Sequence, residues 1–251
     1  MSFTSVRRCR ELLSRINARL PDRLDAQATP GHRESPTAVR RRRRMVSAVG
    51  PTGAALLGVS LSSPPGSGRF YVLTTGVAGI WTAGAVAAGP LRRGWTHDET
   101  ICRSVVVPVL TGAAAFGVFY AGALAVRRVP VLGDAVARIM RFADRGASPL
   151  VLVTTCANGV AEEAFFRGAL YDAVGESRPV LKSTLAYAAT TCATRNPALV
   201  LASAVMGTVF GLQRRASGGI QAPALTHLTW SVLMLRYLPP LFREHSERPR
   251  R

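Results

Sequence analysis

Residues 150–174 read LVLVTTCANGVAEEAFFRGALYDAV, an apolar segment of helical length that carries Glu162, Glu163 and Arg167 within two turns. Ionisable side chains at hydrocarbon depth are costly, and where they occur they face the protein interior or a wet cavity and mark functional sites. The two adjacent glutamates are therefore the first candidates for chemistry in this chain.

The composition separates apolar from cationic residues. The chain has 251 residues, of which 48% are hydrophobic, yet its formal net charge is +18. Several apolar segments approach the roughly 20 residues that a membrane-crossing helix needs. The sequence therefore predicts an all-α polytopic transmembrane helical bundle. Since the basic blocks flank the apolar segments, they favour anchoring at the bilayer over binding to nucleic acid, and no nucleic-acid partner is expected.

The alternation of polar and apolar segments predicts five regions. They are a basic cytoplasmic N-terminal region (1–44), N-terminal transmembrane helices (45–126), an interfacial amphipathic helix (127–148), transmembrane helices that include the acidic segment (149–240) and a basic tail (241–251). The first region fits a helix on the membrane surface and a short solvated helix equally well.

The predicted number of spans is seven or eight. Seven segments are candidates, but the arginine run 40–44 and the basic tail both prefer the cytoplasm, which requires an even number. Residues 45–61 and 127–148 are the weakest candidates. The composition, with many arginines and the single lysine Lys182, is typical of a bacterial protein. We therefore predict an integral protein of a bacterial plasma membrane with a cytoplasmic N-terminus.

Helical spacing separates the roles of the acidic residues. At 100° per residue, Asn158 and Glu162 lie on one side of the helix, whereas Glu163 and Arg167 form an i,i+4 pair on the neighbouring side. This spacing predicts an ion pair between Glu163 and Arg167, which leaves Glu162 to hold or deprotonate a water molecule. The alternative, that both glutamates only pair with arginines inside the bundle, is equally open at this point.

Two later segments add polar groups to apolar surroundings. Residues 210–215 read FGLQRR, and residues 222–231 read APALTHLTWS. His227 is the only one of the four histidines that lies inside an apolar segment, and Ser231 follows it on the same helical face. A lone histidine in such a segment is more often a packing residue, but the acidic pair upstream favours a functional role.

Taken together, the three segments resemble the CAAX-protease and bacteriocin-processing (Abi) family of intramembrane endopeptidases. The residues 162–168, EEAFFRG, match its Glu-Glu-x-x-x-Arg motif. Phe210 matches the start of the second motif, Phe-x-x-x-His, and His227 with Ser231 matches the third, His-x-x-x-Asn or a similar small polar residue. The likeness covers roughly residues 130–240.

The resemblance implies roles for these residues. In the family the first glutamate and the second-motif histidine activate water, while the third-motif histidine and asparagine stabilise the oxyanion; this implies catalytic roles for Glu162, Glu163, His227 and Ser231. Arg214 stands where the family has its second-motif histidine. Arginine is neither a general base nor a metal ligand, although Arg214 could neutralise Glu162 or donate to an oxyanion. The residues expected to support the site are Asn158, Arg167, Phe210 and Arg214.

No cofactor is predicted. Some family members have been described as metal-dependent, but a zinc site usually needs three or four ligands. The core offers only His227, the two glutamates and Asn158, and the four cysteines show no metal-type pairing. We therefore expect a glutamate-activated water without tightly bound zinc.

Three functions follow from the sequence. The first is an intramembrane endopeptidase that hydrolyses a peptide bond of an unidentified peptide or protein substrate. The alternative is a catalytically degenerate family member that acts as a membrane binding or scaffold protein, which the replacement at Arg214 favours. A small transporter ranks last because no internal repeat is visible.

Overall fold

The computed structural model describes residues 35–94, 105–146 and 148–242, and within these ranges the chain is helical and contains no strand. The helices are α1 (Pro36–Leu61), α2 (Gly68–Ala88), α3 (Val107–Val126), α4 (Pro130–Arg145), α5 (148–173), α6 (Pro179–Thr191), α7 (Pro197–Ser217) and α8 (Gln221–Tyr237). The predicted all-α class is thus confirmed. Most of the predicted N-terminal region and nearly all of the basic tail lie outside the described residues.

Local sequence signals explain where the helices begin. The Ser35 side chain accepts a hydrogen bond from the Ala38 amide (3.2 Å), and the Asn196 side chain accepts one from the Leu199 amide (3.1 Å). Each cap is followed by a proline at the first helical position. Such caps satisfy the free amides of a first turn. Because α1 begins at Pro36, the arginine run 40–44 forms its first turns, whereas the predicted span began at residue 45.

Four of the described helices, α1, α2, α3 and α7, are long and apolar enough to cross a membrane by length and composition. The shorter helices α4, α6 and α8 have 16, 13 and 17 residues. A straight span through the hydrocarbon core needs about 20 residues. The α-helical part of α5 ends at the glutamate pair. Length and charge therefore explain why fewer helices meet these criteria than the seven or eight predicted spans.

The core around the acidic segment is aromatic. The Trp81 ring on α2 lies 4.6 Å from the Phe165 ring and 5.1 Å from the Phe166 ring on α5, measured between centroids. All three side chains are buried. A Cβ atom at Gly53 on α1 would overlap the Trp81 ring, so this glycine allows α1 to approach α2 closely. Aromatic packing thus holds α5 against α1 and α2.

The other face of α5 contacts α8, which packs between α3, α5 and α7. The region 127–148, for which an interfacial amphipathic helix is predicted, contains α4. Its exposed residues include Arg138 and Arg145, and its apolar residues Val136, Ile139 and Met140 line a cavity between α5 and α8. The acidic segment and the histidine-bearing helix therefore line the same cavity.

Candidate active site

The acidic motif lies in a π-helical turn. α5 consists of an α-helical part Ser148–Glu162, a π-helical turn Glu163–Leu170 and a last turn Tyr171–Ala173. Every residue of the π-helical turn is buried. π-Helical turns with i→i+5 hydrogen bonds are rare and are frequently found at functional sites. The irregular turn thus coincides with the residues that carry charge.

Glu163 is the centre of a buried charge cluster. Its Oε1 atom lies 3.3 Å from Nη1 of Arg167 and 2.9 Å from Nδ1 of His227. Glu163 and Arg167 are both 0% exposed, and His227 is 6% exposed. Removing one member of such a cluster leaves an uncompensated charge in a dry interior. The carboxylate therefore connects α5 to α8.

Arg167 has further partners that hold it in place. Its Nη2 atom donates to the Gly207 carbonyl (3.2 Å), and its guanidinium carbon lies 4.6 Å from the Tyr187 ring centre and 5.1 Å from the Phe210 ring centre. Cation–π contacts of this kind strengthen when they are desolvated. Arg167 is therefore held between α6 and α7, and Phe210 contributes to the support of the site.

Glu162 has a different environment from its neighbour. Its Oε2 atom accepts a 2.6 Å hydrogen bond from the Tyr187 hydroxyl. Glu162 also lines the cavity, whereas Glu163 is not among the cavity-lining residues. Within the described part of the chain no arginine forms a salt bridge with Glu162. The Glu163 carboxylate is thus held by buried partners, whereas the Glu162 carboxylate is accessible from the cavity.

His227 is oriented by the Glu163 carboxylate. A carboxylate has no proton to give, so the Nδ1–H group of the imidazole is the donor in the 2.9 Å contact. The Phe210 ring stacks on the imidazole at 4.8 Å between centroids. The other ring nitrogen, Nε2, is thereby left for chemistry on the cavity side. Ser231 lies one turn further along α8, is buried and lines the same cavity.

The cavity has a volume of about 300 Å³ and a largely apolar lining. Its polar wall is formed by Asn158, Glu162, His227 and Ser231, together with threonines of α2 and α5. Pockets that combine an apolar lining with a few convergent polar groups are the usual form of a binding or active site. Four of the residues that the sequence singled out thus share one cavity.

Asn158 supports the cavity wall from α5. Its Nδ2 atom donates to the Thr74 carbonyl at 3.0 Å and to the Thr154 carbonyl at 2.8 Å. The first of these bonds joins α5 to α2, and the second stays within α5. Asn158 therefore fixes the position of α5 one turn before Glu162.

The structure does not bring Arg214 to Glu162, which corrects the suggestion that this arginine neutralises Glu162 or donates to an oxyanion. Its Nε atom donates to the Arg167 carbonyl (2.7 Å), and its Nη2 atom lies 2.9 Å from Oδ1 of Asp172. Asp172 follows Glu162 by ten residues on the same helix. At 1.5 Å per residue, this separation is about 15 Å along the helix axis. Arg214 therefore has a structural role at the far end of α5.

Two polar partners of the predicted residues were not predicted from the sequence. Tyr187, on α6, donates to Glu162, and Asp172 is the partner of Arg214. A signal for Tyr187 was present, because a tyrosine in an apolar helix usually finds a hydrogen-bond partner for its hydroxyl. The sequence alone did not indicate which acceptor it would find.

The donor set does not fit a zinc site. Among the residues that the structure describes, no three histidine, cysteine, aspartate or glutamate side chains converge so that they could hold a metal ion. The oxygen Oε1 of Glu163 is already bonded to Arg167 and His227, and Oε2 of Glu162 is bonded to Tyr187. A zinc site with three or four protein ligands would need a different arrangement.

Part of the chain matches a known protein family. Residues 145–233, which contain Glu162, His227 and Ser231, match the family model described as type II CAAX prenyl endopeptidase Rce1-like. This match agrees with the resemblance of the three motifs to the CAAX-protease family. No curated protein and no solved structure matches the chain with significant similarity. The match and the apolar helices together support an integral membrane protein that is similar to CAAX-type endopeptidases.

Tyr187→Phe removes only the hydroxyl that donates to Glu162. We expect kcat for peptide hydrolysis to fall about 10- to 100-fold, because a hydrogen bond to a charged group contributes about 1.5–3 kcal/mol. The measurement is turnover of a membrane-bound peptide by purified protein. Tyr237→Phe is the matched control, since Tyr237 is half exposed at the end of α8. Equal turnover by both variants would contradict a role for Tyr187.

Proposed function

We propose that the chain is an intramembrane endopeptidase in which Glu162 activates the attacking water. The observation that carries this proposal is the unequal state of the two glutamates. Glu163 is buried and bonded to Arg167 and His227, whereas Glu162 lines the cavity and contacts only Tyr187 among the hydrogen-bonding side chains described. A base must reach its water, and of the two carboxylates Glu162 is the one with access.

The reaction proceeds as a hydrolysis with one proton transferred twice. Glu162 takes a proton from water while the water oxygen bonds to the scissile carbonyl carbon. The developing oxyanion accepts hydrogen bonds from the Nε2–H group of the His227 imidazolium and from the Ser231 hydroxyl. Glu162 then gives its proton to the leaving nitrogen as the carbon–nitrogen bond breaks. Donors that are already oriented in a water-poor cavity are worth most to such a step.

Glu163 and Arg167 act on this reaction through His227. The carboxylate accepts the hydrogen bond of Nδ1–H and so fixes the orientation of the imidazole, as the buried acid does in the Ser-His-Asp arrangement. Arg167 offsets the charge of Glu163, so that two adjacent carboxylates can coexist in the interior. In this scheme Tyr187 supplies the support for Glu162 that the family assigns to its second-motif histidine.

We also propose the location of the protein and the kind of substrate that it takes. The arginine run 40–44 at the start of α1 supports a cytoplasmic N-terminus, and the composition supports a bacterial plasma membrane. The apolar cavity lining supports a substrate that is itself membrane-bound.

The test is hydrolysis of membrane-anchored peptides by the protein in liposomes made up in H₂¹⁸O. We expect cleavage with one ¹⁸O atom in the new carboxylate, because water is the nucleophile. The alternative, a degenerate scaffold protein, is motivated by Arg214. It predicts no cleavage by the wild type and a gain of cleavage in Arg214→His. Because Arg214 contacts Asp172 and not Glu162, the peptidase proposal predicts no such gain.

A further inference from the structure

Gly159 lies in the interior of a long helix, at a position where the helical backbone itself does not require glycine. It lies in α5, is buried, and lines the cavity one turn before Glu162 and Glu163. Glycine inside a helix is unfavourable relative to alanine because it gains backbone freedom on unfolding. A buried glycine at such a position therefore requires a packing reason or a functional one.

Several other buried glycines in the bundle have a packing reason, although Gly50 on α1 does not. A Cβ atom at Gly112 would come within 2.7 Å of the Thr226 carbonyl oxygen, and one at Gly211 would come within 2.9 Å of Val180 Cγ1. These glycines allow neighbouring helices to approach closely. At Gly159 the nearest atoms to a Cβ would be Cδ2, Cγ and Nε2 of His227, at 3.5, 3.6 and 3.7 Å. Those distances are ordinary van der Waals contacts, so an alanine fits at position 159 without displacing anything.

The missing methyl group leaves free space beside the imidazole of His227. Since Nδ1 of that ring is bonded to Glu163, Nε2 is its free nitrogen, and Nε2 is among the atoms that the methyl group would touch. Glu162 follows Gly159 by three residues and so lies on a neighbouring part of the same helix face. The free space therefore adjoins both groups to which the proposed reaction assigns chemistry.

We propose that Gly159 is a specificity-determining residue that keeps open the space where the scissile peptide group of the substrate lies against His227. This inference rests on the proposed peptidase function. A methyl group at position 159 occupies part of that space and holds the substrate carbonyl away from Nε2. The alanine is therefore expected to lower the rate of hydrolysis by displacing the substrate carbonyl. It is not expected to destabilise the fold, which accommodates the methyl group.

The experiment compares Gly159→Ala with Gly122→Ala in the hydrolysis assay and in thermal unfolding. Gly122 is exposed on α3, and a Cβ atom there would have nothing within 4 Å. Both variants are expected to unfold at the wild-type temperature or above it. Gly159→Ala is expected to lose about 10- to 200-fold in kcat/KM, the range that one misplaced carbon atom costs in a fitted pocket. Gly122→Ala is expected to stay within about two-fold of the wild type, since it touches no part of the site.

Three outcomes overturn parts of this scheme, and they are distinct. An active wild type with an equally active Gly159→Ala variant overturns the role of Gly159 and leaves the peptidase proposal standing. A Gly159→Ala variant that unfolds well below the wild-type temperature overturns the inference, because the glycine then has a packing role. A wild type without turnover overturns the peptidase proposal and the inference with it.

Discussion

Glu162→Gln is expected to lower kcat for peptide hydrolysis by about 10²–10⁴-fold, the range that a positioned general base contributes. Glutamine has nearly the same shape as glutamate, and its amide oxygen can still accept the hydrogen bond from Tyr187. The substitution therefore removes basicity while it leaves the packing of α5 unchanged. The measurement is single-turnover cleavage of a membrane-anchored peptide, with thermal unfolding as the check on folding.

The matched control for this variant is Glu176→Gln. Glu176 lies in the turn between α5 and α6 and is not among the residues that line the cavity. Its replacement removes the same charge and is expected to leave kcat within about two-fold, as for a surface change away from a site. Wild-type turnover by Glu162→Gln would exclude Glu162 as the base and would leave His227 as the remaining candidate near the cavity.

The ion pair between Glu163 and Arg167 could be predicted from the sequence, but the π-helical turn that contains it could not. Two charged residues four apart on a helix lie next to each other whatever the tertiary fold, so the i,i+4 spacing was enough to predict their ion pair. The turn that contains them is π-helical instead of α-helical. No spacing rule indicated that irregularity, because it depends on packing against the neighbouring helices.

The surroundings of Glu162 and Arg214 depend on tertiary contacts and so were beyond the sequence. Tyr187 lies 25 residues after Glu162, and Asp172 lies 42 residues before Arg214. The motif spacing could place Arg214 on the correct helix. It could not show that Arg214 lies level with Asp172 and not with Glu162. Height along a helix decides which polar groups meet, since one turn is 5.4 Å.

Helix ends were predictable to within a few residues where a cap or a proline marks them. Within the predicted helical region 149–240, two helices begin at prolines, Pro179 and Pro197. The start of α1 was missed because an arginine run was interpreted as a polar boundary. A helix can carry such a run in its first turns when the arginine side chains reach toward the interface.

Arg167→Met is expected to destabilise the fold by about 3–5 kcal/mol, the cost of breaking a buried ion pair by removing one partner. Methionine fills a similar length without charge, so the loss is electrostatic more than steric. The Glu163 carboxylate would then keep only its contact with His227, and within the described residues the Oε2 atom of Glu163 already has no hydrogen-bond partner. Denaturant unfolding in detergent micelles measures the change, with Arg195→Met as the control because Arg195 is exposed.

The double variant Glu163→Gln/Arg167→Met decides whether charge is the cause. If the loss in Arg167→Met comes from an unpaired buried carboxylate, neutralising Glu163 in the same chain should recover a large part of it, since the isolated charge is gone. The recovered protein should still be inactive, because the double variant lacks the Glu163 carboxylate that orients His227 in the proposed reaction. Arg167→Met with wild-type stability would mean that this arginine does not hold the bundle together. A double variant no more stable than Arg167→Met would mean that the loss comes from the contacts of the guanidinium with the Tyr187 and Phe210 rings, and not from the unpaired carboxylate.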